Sequence, residues 1–218
     1  MRNKGLQEKY SPQVIKAILI VLKTKAPNIL LRMENFGGGI VMNDEYKHYV
    51  EQILNTWEKD QREGAFKIIK KYGYPQEAIA SRLIWYNNGP WKRIVVLRDA
   101  VPHNLPVNHM DFLAQTVDYR TPVELFDEIA RFDGSCYPDR TRGEVTVTCD
   151  KEEANFLSIN LFHEIVTGKR TVDEAKYFLA ETEANYLFKN ISSPYLEKIL
   201  FPAQRYTIDP GIQFFDKK

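Results

Sequence analysis

The chain has 218 residues, 30 lysines and arginines against 29 aspartates and glutamates, and two cysteines. A chain this long buries enough surface to fold without a disulfide or a metal, and 44% hydrophobic with 27% charged residues excludes global disorder. A net charge of +1 argues against a dedicated nucleic-acid coat, and two cysteines make no disulfide scaffold. The balance hides an asymmetry. Residues 1–32 carry seven bases (Arg2, Lys4, Lys9, Lys16, Lys23, Lys25, Arg32) and one acid, Glu8, which leaves the remaining chain at −5. The longest apolar run near the N-terminus, Ala17–Leu22, falls well short of the ~20 residues of a membrane span. It is also short for a signal-peptide core. A cytoplasmic protein with no membrane partner is expected.

In chain order, Ser11-Pro12 opens a helix, with serine as cap and proline at the first helical position. The run Ile29–Met33 fits strand or helix, and Gly37-Gly38-Gly39 reads as a joint. Asn43-Asp44 caps a long helical stretch to Gly73, with a break predicted near 60–64 because of Gly64. Two apolar runs follow, Arg82–Tyr86 and Trp91–Leu97. Asn87-Asn88-Gly89-Pro90 between them marks a β-hairpin. Residues 99–120 read as a loop-rich crossing. Thr121 and Glu124 form a capping box opening a helix to Gly134. A second hairpin pairs Ser135–Tyr137 with Glu144–Cys149, whose alternation is that of a half-exposed strand. Asp150 and Glu153 start a helix that is apolar nearly all round, a mark of a central position. Thr171 and Glu174 box the start of the last long helix. The tail 191–218 is too aromatic for disorder and is expected to pack on the body or dock a partner.

The fold class expected is α+β: an antiparallel sheet built from two β-hairpins, packed with helices, plus N-terminal helices. The organisation expected is a helical extension over 1–62, a main domain over 63–190, and an ordered tail over 191–218. The recurring helix–strand–strand order suggests a pseudo-duplicated sheet. The stretches Arg82–Arg93 (RLIWYNNGPWKR) and Val166–Ala175 (VTGKRTVDEA) resemble an uncharacterised bacterial family. The resemblance covers about residues 70–185 and implies a self-standing domain.

Two chemistries stand out. Trp85, Tyr86, Trp91, Lys92 and Arg93 combine aromatics with bases on one hairpin, and Arg140 and Arg142 at the second hairpin tip could extend the same basic edge. Such a surface suits a protein or small-molecule partner, since tryptophan and arginine lead interface hot spots. Single-stranded nucleic acid is the less favoured partner. The leading expectation is therefore a non-catalytic binding module with no cofactor. The alternative is a metal-dependent enzyme. His103, His109 and Asp111 are ligand types for zinc or iron on what reads as a loop, with Glu144 as a nearby acid. Cys136 and Cys149 are expected in the core of the second hairpin, near a cross-strand pair. His163 is expected as a satisfied core or edge histidine.

Overall fold

The computed structural model describes residues 44–216. The basic arm, the helix after Ser11, the Ile29–Met33 run and the glycine joint lie outside the described residues. The chain divides into two units, Met1–Lys47 and His48–Lys218, and the architecture below is that of the second together with residues 44–47, which begin its first helix.

Helices α1 (Asp44–Leu54) and α2 (Lys59–Tyr72) replace the single long helix. The break falls at 55–58, earlier than predicted. Trp57 sits there, buried, and its indole donates to the Ala80 carbonyl at 3.0 Å. Gly64 lies inside α2 for a different reason. A Cβ there would meet Phe112 Cε2 at 2.4 Å, so the glycine admits a buried phenyl ring rather than ending a helix.

The sheet has six strands: β1 (Glu77–Ile79), β2 (Arg82–Asn88), β3 (Trp91–His103), β4 (His109–Asp118), β5 (Cys136–Asp139) and β6 (Glu144–Cys149). Their order is β1-β2-β3-β4-β6-β5 and every pair is antiparallel. The α+β class and both hairpins stand. The loop-rich crossing does not: residues 99–120 contain the end of β3 and the whole of β4. Asp111 to Val117 are all buried, so neither face of this strand is solvated and no polar alternation marks it. Its polar residues are paired internally. Gln115 meets Glu152 and Asn155, and Thr116 meets Thr146. Because β4 separates the hairpins, the sheet is not two copies of one unit.

The remaining helices are α3 (Phe126–Phe132), α4 (Glu152–Val166), α5 (Val172–Lys189) and the short α6 (Pro194–Glu197). The box at Thr171/Glu174 forms in both directions. The one predicted at Thr121/Glu124 does not. A 3-10 turn, Val123–Leu125, precedes α3, and the Thr121 hydroxyl is buried with no hydrogen-bond partner. Lys151, not Asp150, occupies the N-cap of α4. Asn160 ties the tail to α4: its amide donates to the Lys198 carbonyl at 2.8 Å and its Oδ1 accepts from Leu200 N–H at 2.8 Å. His163 shares a hydrogen bond with the Tyr119 hydroxyl at 2.9 Å and stacks on Phe201 at 4.3 Å. Among the described residues no helix is long and apolar enough to cross a membrane.

One carboxylate joins four of these elements. Glu152, in the first turn of α4, is 7% exposed. Its Oε1 accepts from the Trp91 indole and the Tyr72 hydroxyl, both at 2.6 Å, and from the Gln115 amide at 3.0 Å. Its Oε2 holds Lys71 Nζ at 2.5 Å. Burial first, then the hydrogen bond to the carboxylate, pushes the Tyr72 hydroxyl far above its ordinary pKa, so tyrosine stays a donor.

Glu152→Ala leaves buried donors unpaired and should cost roughly 3–5 kcal/mol, read from urea unfolding midpoints. Gly64→Ala should also destabilise, by roughly 1–3 kcal/mol, because overpacking against Phe112 outweighs the helix-propensity gain. An unchanged midpoint in either variant would contradict the assignment.

Candidate metal centre

The predicted ligand set lies on paired strand ends rather than on a loop. His103 closes β3, His109 opens β4, and the two face each other across the ladder with ring centroids 5.0 Å apart. A β-bulge makes this possible. Between the pairs Val96↔Leu113 and Val101↔Asp111, four residues of β3 stand opposite Phe112 alone. The odd excess reverses the phase of β3. His103 therefore comes to the side that carries His109, Asp111 and, on the next strand, Cys149.

One ligand atom from each of His103, His109 and Asp111 can be chosen so that all lie within 4.8 Å of one another. His103 Nδ1 is 3.1 Å from Asp111 Oδ2, and His109 Nε2 is 3.1 Å from Asp111 Oδ1. Yet His103 Nδ1 and Asp111 Oδ1 are buried without a hydrogen-bond partner. The same spacing serves a charged imidazole–carboxylate pair or ligands that share an ion.

The outer contacts orient this set. His109 Nδ1 lies 2.8 Å from the Val107 carbonyl. A carbonyl only accepts, so Nδ1 carries the proton and neutral His109 presents an Nε2 lone pair inward. His103 Nε2 faces Asp133 Oδ1 at 3.6 Å. Asp133 is itself held by the Ser135 N–H at 2.8 Å and the Ser158 hydroxyl at 3.4 Å. The Ser135 hydroxyl donates to Asp111 Oδ2 in a short hydrogen bond. Imidazoles held by a carbonyl or carboxylate on the far nitrogen are the usual outer shell of a metal ligand. Asp133, Ser135 and Ser158 were missed in the sequence because nothing local marks them.

A cavity of about 20 Å³ adjoins the set, lined among others by His103, His109, Asp133, Cys149, Lys151 and Glu183. It has room for one water-sized occupant. Lys151 pairs with Asp150 at 3.1 Å and Glu183 at 3.6 Å, while Asp111 and Asp133 face the two histidines. Burial, with nearby acids adding to it, raises Asp133 and Glu183 above the ordinary carboxylate range. The Asp111 carboxylate raises His109. Cys149 Sγ lies 3.4 Å from His109 Nε2. The two thiols are buried and free, and the register sets Cys136 opposite Val147, with Cys149 opposite Leu113.

The residues of the aromatic–basic hairpin do not form one surface. Trp85 and Trp91 are 0% and 1% exposed. Trp85 donates to the Gly73 carbonyl, and Trp91 stacks on Phe156. Neither indole offers a face to a partner. Tyr86 is exposed and its hydroxyl donates to Glu77 at 3.1 Å. Both hairpin tips do lie at the same end of the sheet, but their bases meet acids. Lys92 holds Asp118 and Glu144, Arg93 holds Glu144, Arg140 holds Asp209, and Arg142 holds Asp139. Glu144 thus belongs to this end. It stands at the opposite end of β6 from Cys149, roughly 17 Å along the strand, so it is no partner of the histidines.

No family model, curated protein or solved structure matches the chain. The functional reading rests on geometry.

Burial alone would raise Glu144, but hydrogen bonds from Lys92 and Arg93 outweigh it and hold the carboxyl below its ordinary value. As pH falls the unfolded chain takes up that proton first. The stabilisation from this clamp is fully present above about pH 4.5 and is lost as pH falls through the folded value. Urea midpoints should drop between pH 7 and about pH 3.5, and drop less in Glu144→Gln. Equal pH dependence in the two proteins would contradict this.

Proposed function

We propose that this protein binds one divalent transition-metal ion at His103, His109 and Asp111. The observation that carries the reading is a buried, preoriented set of acceptors. Two inward atoms, His103 Nδ1 and Asp111 Oδ1, have no hydrogen-bond partner, and His109 has already committed its proton to the backbone. Two imidazoles and a carboxylate are the donor set of zinc and ferrous sites. With three protein ligands the fourth position is open to water, and Lewis-acid activation of that water is the support for the enzyme reading; a fourth protein ligand would close it. The hairpin as a docking surface for protein, small molecule or single-stranded nucleic acid has weaker support, because its indoles are buried and its bases neutralised.

Protein stripped with chelator and reloaded with zinc should retain one equivalent by elemental analysis, and His103→Ala/His109→Ala should retain none. Binding should raise the melting temperature, because an ion at 100-fold its dissociation constant adds about 2.7 kcal/mol. Ligand imidazoles must be neutral, and Asp111 raises His109, so protons begin to displace the ion at a pH above the ordinary imidazole range. Wild-type protein that takes up no zinc, or a double variant that keeps it, would end the proposal.

A further inference from the structure

Cys149 reads from the sequence as a core residue, and its burial agrees: it is 9% exposed. Its surroundings are not those of a core thiol. Sγ stands 3.4 Å from His109 Nε2 and 3.4 Å from Asp150 Oδ1, and it lines the small cavity beside His103. The register explains the approach. Cys149 is the last residue of β6 and pairs with Leu113 of β4, so it projects on the side that carries Asp111 and His109.

Spacing distinguishes a ligand from a neighbour. Atoms bound tetrahedrally at about 2.0–2.3 Å from one ion stand roughly 3.3–3.6 Å apart. His103 Nδ1 stands 3.1 Å from Asp111 Oδ2, His109 Nε2 stands 3.1 Å from Asp111 Oδ1, and the thiol stands 3.4 Å from His109 Nε2. Moreover, the thiol and Asp111 approach His109 at the same nitrogen, Nε2. The other nitrogen is spent on Val107. Thiol and carboxylate therefore both approach His109 at that one nitrogen.

A Cys–His nucleophile is the other chemistry this pair could serve, and the surroundings of the thiol argue against it. An activated thiol needs a lowered pKa. Sγ instead lies 3.4 Å from the Asp150 carboxylate, a neighbour that disfavours a thiolate. A metal ion is the group that deprotonates a thiol in such a place outright.

We infer that Cys149 is the fourth ligand, so that the centre holds a zinc-class ion between two histidines, one aspartate and one cysteine, closed by protein on all four sides. The inference rests on the metal reading above. As the sulfur–metal bond forms, the thiol proton leaves to solvent, and no electron is transferred. A thiolate excludes magnesium and calcium in favour of zinc or ferrous iron. Four protein ligands are the pattern of an ion that fastens structure. Here it would join the ends of β3, β4 and β6 around the loop 104–108.

Cobalt(II) alone is the probe, added to chelator-stripped protein. Wild type should bind one equivalent, with the intense visible bands of a four-coordinate site and a sulfur-to-cobalt charge-transfer band in the near ultraviolet. Cys149→Ser should lose the charge-transfer band and at least tenfold in affinity. Cys136→Ala should keep both. The wild-type spectrum alone decides the matter if a variant fails to fold. One equivalent of cobalt without the charge-transfer band overturns the fourth ligand and leaves the three-ligand centre standing. No cobalt bound to wild type overturns both.

Discussion

The buried carboxylate of Glu152 is the constraint on which the rest of this structure depends. A carboxylate withdrawn from water is costly unless donors replace its hydration. Four donors do so, from Lys71, Tyr72, Trp91 and Gln115. They come from α2, β3 and β4, so satisfying one side chain fixes the first turn of α4 against three other elements. Asn155 and Ser158 follow at helical spacing on the same side. Asn155 donates to the Leu113 carbonyl and to Gln115, and Ser158 reaches Asp133. Asp133 in turn faces His103. The hub and the candidate centre are thus two ends of one polar seam beneath an otherwise apolar helix.

Much of the fold was legible in residue patterns because it follows from local chemistry. The Asn87-Asn88-Gly89-Pro90 turn takes positive φ at Asn87 and Gly89. Glu144–Cys149 alternates as a strand does, and Thr171/Glu174 caps as written. β4 was not legible. Its Asp111, Gln115 and Thr116 look like loop residues until their distant partners Ser135, Glu152 and Thr146 are known. The break between α1 and α2 was misplaced for a related reason. Gly64 suggests a helix end, yet its role is set by Phe112, which lies far along the chain.

The candidate centre divides the same way. Its ligand types could be named from the sequence, because histidine, histidine and aspartate stand close together. Their convergence could not, since it requires the β3 bulge and the cross-strand pair His103↔His109. Cys149 and Asp133 arrive from other parts of the chain. The aromatic–basic hairpin failed in the opposite direction. Trp85 and Trp91 look like binding residues by type, but the indole N–H groups have internal acceptors in the Gly73 carbonyl and Glu152. A tryptophan with a buried acceptor is free to enter the core.

Charge then separates the two ends of the sheet. At the hairpin tips, bases and acids neutralise each other pair by pair. At the histidine end, among the described residues, Asp150 and Glu183 pair with Lys151, Asp111 and Asp133 face the histidines, and His103 Nδ1 and Asp111 Oδ1 have no hydrogen-bond partner. Those unpartnered atoms are what an ion would satisfy. Anomalous diffraction at the zinc edge, from crystals of protein loaded with one equivalent of zinc, is the most direct test. A single strong peak bonded to His103 Nδ1, His109 Nε2 and Asp111 is the predicted result. A peak elsewhere, or none at these residues, would contradict the centre.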